Sequence, residues 1–164
     1  MKILNFNWAA FDPKGGLKYA VGVAIVIAAS LIIEFPWFAC GTSALLVWLT
    51  NVPGPRSAQL KGMAIYIGLG AVLVGLGYVL AGTFWPWVIS MLVVAFIGTY
   101  AMIEGPRGFQ IGWCLICWFY CLPLFGIESI PLDILGAHLL GGIVMFVILA
   151  IPFAGKDTTI KSTD

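Results

Sequence analysis

Three cysteines, Cys114, Cys117 and Cys121, stand in a C-x2-C-x3-C pattern within one apolar run. Positions i, i+3 and i+7 share a helix face, so the three sulfurs would line one stripe. Thiolates are soft ligands, and such a stripe could hold a soft metal ion or carry thiol redox chemistry. His138, from the next apolar run, would then be a fourth ligand. The pattern has a plainer use, because cysteine packs as a small apolar residue in helix interiors. No flanking charge, turn or second cysteine pair reinforces the metal reading, and no cofactor is expected.

The other groups with chemistry in them are few. Asp133 and His138 lie five residues apart around the start of the last apolar run, where they could form a proton-accepting pair facing a vestibule. Thr42 and Ser43 make the first half of a short apolar run small and polar, a composition suited to lining a path. These four residues are the candidates for contact with a substrate. Glu34, Glu104, Glu128 and Asp133 fall at the ends of apolar runs, where carboxylates mark a water interface. Glu104 with Arg107 reads as a local ion pair at a turn. Arg56, Lys61 and Arg107 would either attract an anionic substrate or anchor the chain beside phosphate headgroups. No phosphate-binding loop, nucleophile elbow or HExxH motif occurs, so the sequence does not read as an enzyme.

What must position these residues follows from composition. The 164 residues are 62% hydrophobic and 9% charged, with mean hydropathy +1.06. A soluble domain carries about one quarter charged residues. So little charge cannot solvate a surface, and lipid is the expected solvent. No basic stripe suggests nucleic acid. The first long apolar run exceeds a signal-peptide core, so no cleavable signal is expected.

Six membrane spans are expected, at residues 17–35, 37–52, 58–80, 85–103, 109–125 and 134–153. They form an all-α integral membrane domain over residues 17–153. An interfacial segment at 1–16 precedes it, and a polar tail at 154–164 follows. The second span is short, ~24 Å at helical rise. Ala20, Ala24 and Ala28 give the first span a small-residue stripe. Gly68, Gly70, Ala71 and Gly75 do the same for the third, which should therefore be central.

All eight Lys and Arg fall in segments that alternate spans would place on one side, while Glu34, Glu128 and Asp133 fall on the other. The positive-inside rule then puts both termini in the cytoplasm. A repeat fits this frame: Pro36-Trp37 and Gly54-Pro55-Arg56 recur about 50 residues later as Pro86-Trp87 and Gly105-Pro106-Arg107. An offset of one out-and-back pair suggests three successive helical hairpins.

Residues 17–151 resemble one half of the fusaric acid resistance (FUSC) family of aromatic acid exporter-like proteins. The likeness rests on Pro36-Trp37-Phe38-Ala39 opening a short second span, then a proline-containing turn. Lys61-Gly62 next opens a third span that runs through Gly75-Leu76-Gly77. The resemblance implies efflux of hydrophobic or aromatic organic anions, beside a periplasmic adaptor, in the bacterial inner membrane. Family exporters carry two such halves and soluble domains; this chain has one half, so export would require a homo-oligomer. Two other readings stand beside it: a non-catalytic accessory subunit of a larger membrane complex, and a thiol-redox or metal protein built on the cysteine stripe.

Overall fold

Proline and glycine cut the apolar sequence into helices, and the described residues contain no strand. The computed structural model describes residues 13–51, 54–122 and 132–151. Six α-helices run α1 (Pro13–Ile33), α2 (Trp37–Leu49), α3 (Arg56–Leu80), α4 (Phe84–Ala101), α5 (Pro106–Cys121) and α6 (Asp133–Ala150). A 3-10 turn, Met102–Glu104, extends α4. Among the described residues, four segments are long and apolar enough to cross a membrane: Gly16–Ile33, Arg56–Leu80, Phe84–Glu104 and Asp133–Ala150. The other two are shorter. α2 has 13 residues, about 20 Å at helical rise, and α5 has 16, starting at Pro106 instead of the expected Phe109. Most of the expected interfacial segment, Pro123, Glu128 and the polar tail lie outside the described residues.

Each helix boundary has a local cause. α1 stops at Ile33 because Glu34 takes a left-handed conformation at φ 61°, and the Phe35 N–H returns to the Ser30 carbonyl at 3.0 Å. This is a Schellman-type stop with glutamate where glycine is favoured. Pro36 then caps α2. Glu34→Gly should therefore raise the unfolding free energy by about 1 kcal/mol, read by thermal unfolding in detergent. Gly54 and Gly105, equivalent in the repeat, both sit at positive φ (152° and 92°) immediately before a proline, Pro55 capping α3 and Pro106 opening α5.

Contacts between helices fix their directions. The Arg56 guanidinium at the start of α3 donates to the Ala150 carbonyl at the end of α6. Lys18, near the start of α1, donates to the Ile151 carbonyl at 3.3 Å. Phe35, between α1 and α2, lies against Gly136 near the start of α6. Gly98 and Gly112 meet where α4 and α5 run antiparallel. Successive helices thus alternate in direction, and Lys18, Arg56, Lys61 and Arg107 gather at one end of the bundle. The two cations on the last carbonyls of α6 also complement its negative dipole end.

The three-hairpin expectation holds only for α1 and α2. α3 barely touches α4, which packs instead on α5. The reason is steric: a Cβ on Gly112 would lie 2.2 Å from the Gly98 carbonyl oxygen, so only glycine lets these backbones approach. α6 shares the central place expected for α3, burying Ile134, Ala137, His138, Gly141, Gly142 and Met145 against α1, α2 and α3. On α1, the inward stripe is Gly22, Val26 and Ser30, while Ala20, Ala24 and Ala28 face outward. The outer surface is apolar, with Leu31, Ile32, Val72, Val79, Leu92 and Phe96 exposed. The exposed Thr99 hydroxyl turns back on its own helix to the Ala95 carbonyl, as the buried Ser30 does to that of Ile27. That habit suits helices without water around them.

Candidate functional site: a histidine sealed between four helices

His138 sits one and a half turns into α6 and is fully buried. Four helices converge on it. α2 supplies Ser43, whose Oγ lies 3.0 Å from Nδ1 and 2.8 Å from the carbonyl oxygen of His138 itself. α3 supplies the Ile67 carbonyl, 3.1 Å from Nε2. Trp118 of α5 stacks on the imidazole at 4.9 Å between ring centroids, and Tyr66 of α3 meets it edge-on at 5.8 Å. Gly70 makes the room: a Cβ there would stand 2.5 Å from Cε1 and Nε2.

The proton arrangement follows from what each partner can do. A carbonyl only accepts, so Nε2 carries a proton and donates to Ile67. In the neutral ring Nδ1 is then an acceptor facing Ser43. The hydroxyl has one proton for two acceptors, Nδ1 and the His138 carbonyl. If Nδ1 gained a proton, it would donate to Ser43 Oγ while the hydroxyl donated to the carbonyl. Every donor would then have an acceptor with no heavy atom displaced. The arrangement can thus hold either protonation state geometrically, with two aromatic rings packed against a charged imidazolium.

The four residues expected to line a substrate path are not brought together. Ser43 and His138 bond each other inside the core. Thr42 faces an outward groove of about 220 Å³ between α1 and α2, with Tyr19, Val23, Trp37 and Phe38. Asp133 is exposed at the start of α6, so it does not pair with the buried His138. The separation is physical: five residues along a helix rotate the second side chain far from the first.

The cysteine stripe is likewise apart from the histidine. Cys114 is buried, Cys117 and Cys121 are half-buried, and all three are free thiols. His138 cannot join them as a ligand here, since both ring nitrogens are engaged. Among the described residues, no three His, Cys, Asp or Glu side chains come together as a metal site. The stripe instead borders Tyr66, whose buried hydroxyl has no hydrogen-bond partner among the described residues.

Arg107 also departs from expectation. It makes no ion pair with the exposed Glu104; its guanidinium reaches across to Gly54 in the other Gly-Pro-Arg turn, and its Cδ approaches Gly62. Its Nε is buried without a hydrogen-bond partner among the described residues. Arg56 is turned to the end of α6, so the two equivalent arginines serve different contacts. Of the small residues expected to pack on the third span, Gly70 makes a close approach to His138, whereas a Cβ on Gly68 or Gly75 would meet nothing within 4 Å.

Sequence reasoning named His138 and Ser43 but missed Tyr66, Ile67 and Trp118 as their partners. The signal was available in part, because a histidine deep in an apolar helix must find partners. Fold and core together define an all-helical bundle with membrane-length apolar helices and a histidine-centred polar core. Comparison with protein-family models, with curated proteins and with solved structures returns no match for this chain.

Proposed function

We propose that the chain is a non-catalytic membrane subunit that packs against a larger membrane complex in the bacterial inner membrane. The observation that carries this reading is the sealed polar core. Ser43 and His138 satisfy each other and the Ile67 backbone instead of facing a path. The peripheral placement of α4 agrees with it: only Val94 and Gly98 of that helix are buried, and the exposed Ile89, Leu92, Val93 and Phe96 are available to a partner helix. Affinity purification in mild detergent, followed by mass analysis, tests the reading. A fixed partner in constant ratio is the expected result; a chain that purifies alone overturns it.

A second reading, a half-size exporter of aromatic anions acting as a homo-oligomer, is favoured by one feature. The groove holding Thr42 opens outward beside the outward stripe of Ala20, Ala24 and Ala28, where a second copy could close it. Export predicts a homo-oligomer of defined size, and loss of resistance to aromatic acids when the chain is deleted.

A further inference from the structure

α3 and α6 leave an apolar groove of about 480 Å³ between them, lined by Ala64, Ile67, Gly68, Ile143, Phe146 and Val147. Gly68 forms its open floor, since a Cβ there would meet nothing within 4 Å. The groove runs toward the basic end of the bundle. Lys61, Ala64 and Gly68 follow one another at i, i+3 and i+7, so the exposed Lys61 stands on the same stripe. On the facing helix, Ile143 and Val147 lead to Ala150, whose carbonyl holds the exposed Arg56. Lys61 has no hydrogen-bond or ion-pair partner among the described residues. An apolar slot thus ends beside two cations, with no carboxylate lining it.

We propose that this groove binds a phospholipid with an anionic headgroup. An acyl chain lies along Gly68 between Ile67 and Phe146, and the phosphate meets Lys61 and the guanidinium nitrogens that Arg56 does not use on Ala150. The complementarity is twofold. A hydrocarbon chain fills a slot that offers it almost no polar surface, and the phosphate sits where basic side chains attract anionic headgroups. The proposal rests on the bundle spanning a bilayer, and it is independent of which partner the chain joins.

The test uses the full chain in detergent, titrated with phosphatidylglycerol or phosphatidylcholine and read by native mass spectrometry. Phosphatidylglycerol should bind more tightly. Lys61→Gln should weaken it about fivefold and leave phosphatidylcholine unchanged. Gly68→Leu, entering open space, should fill the slot and lower binding of both lipids without unfolding the protein. Equal affinity for the two lipids, or Lys61→Gln without effect, overturns the proposal. So does a second copy cross-linked into the groove in place of lipid. Alkaline extraction of the same variants separates the two claims: release from membranes would sink the spanning reading, whereas retention without lipid preference sinks only this site.

Discussion

Gly141→Ala should lower the stability of the bundle by about 3 kcal/mol, one of the largest losses expected from adding a methyl group anywhere in the chain. The added Cβ would lie 2.2 Å from the Cys40 carbonyl oxygen and 3.0 Å from its carbon. Both obstacles are backbone of α2, which cannot rotate aside as a side chain would. Relief requires α2 and α6 to separate, and theirs is the most extensive interface among the described helices. Overpacking usually costs about 1–3 kcal/mol, and an immovable neighbour places this site at the upper end. The adjacent glycine supplies the control. A Cβ on Gly142 would meet Ile67 Cγ1 at 3.1 Å and Ser43 Oγ at 3.5 Å, contacts that small side-chain shifts can relieve. Gly142→Ala should therefore cost under about 1 kcal/mol. Gly75→Ala, entering open space, should be neutral or slightly stabilising through helix propensity. Reversible unfolding in mixed micelles measures all three. Equal losses at Gly141 and Gly142 would show that the backbone contact does not control the interface.

The same glycine marks where the sequence stops being legible. Helix ends could be read locally, because Pro36, Gly54-Pro55 and Gly105-Pro106 impose turns whatever surrounds them. Helix count, the shortness of α2 and the gathering of basic residues at one end followed from composition and charge. Which faces meet did not. In a soluble helix the apolar stripe identifies the buried side, but these helices are apolar all round, and lipid makes no such distinction. Ala20, Ala24 and Ala28 therefore resembled a packing stripe as much as Gly22, Val26 and Ser30 did, and the second set faces inward. Pairing of Gly98 with Gly112 depends on α4 leaving α3 for α5, which no local pattern encodes. Polar residues were the better guide: Ser43 and His138 stand deep in apolar helices, and a donor or acceptor there must be satisfied within the protein.

His138→Ala should cost about 2–4 kcal/mol, chiefly as lost packing. Removing the imidazole takes away the surface on which Trp118 stacks and that Gly70 was cut to accommodate. The cavity would lie among α2, α3, α5 and α6, so collapse into it needs several helices to move and is restricted. The polar loss is smaller. Ser43 would keep its bond to the residue 138 carbonyl. The Ile67 carbonyl would lose only an added donor. Ser43→Ala should accordingly cost about 1 kcal/mol, the range of a single polar contact inside a membrane bundle. A double-mutant cycle isolates the bond from the packing: a coupling near 1 kcal/mol is expected, whereas a coupling near zero would mean that stacking alone holds the ring. Nitrogen NMR of labelled histidine provides a readout that packing would not move. The neutral ring should carry its proton on Nε2, as the Ile67 carbonyl requires. Ser43→Ala removes the hydroxyl hydrogen-bonded to Nδ1, so it should alter the Nδ1 resonance and leave Nε2 in place. A proton found on Nδ1 instead would point the ring's lone pair at a carbonyl oxygen, and the hydrogen-bond scheme of the core would have to be abandoned.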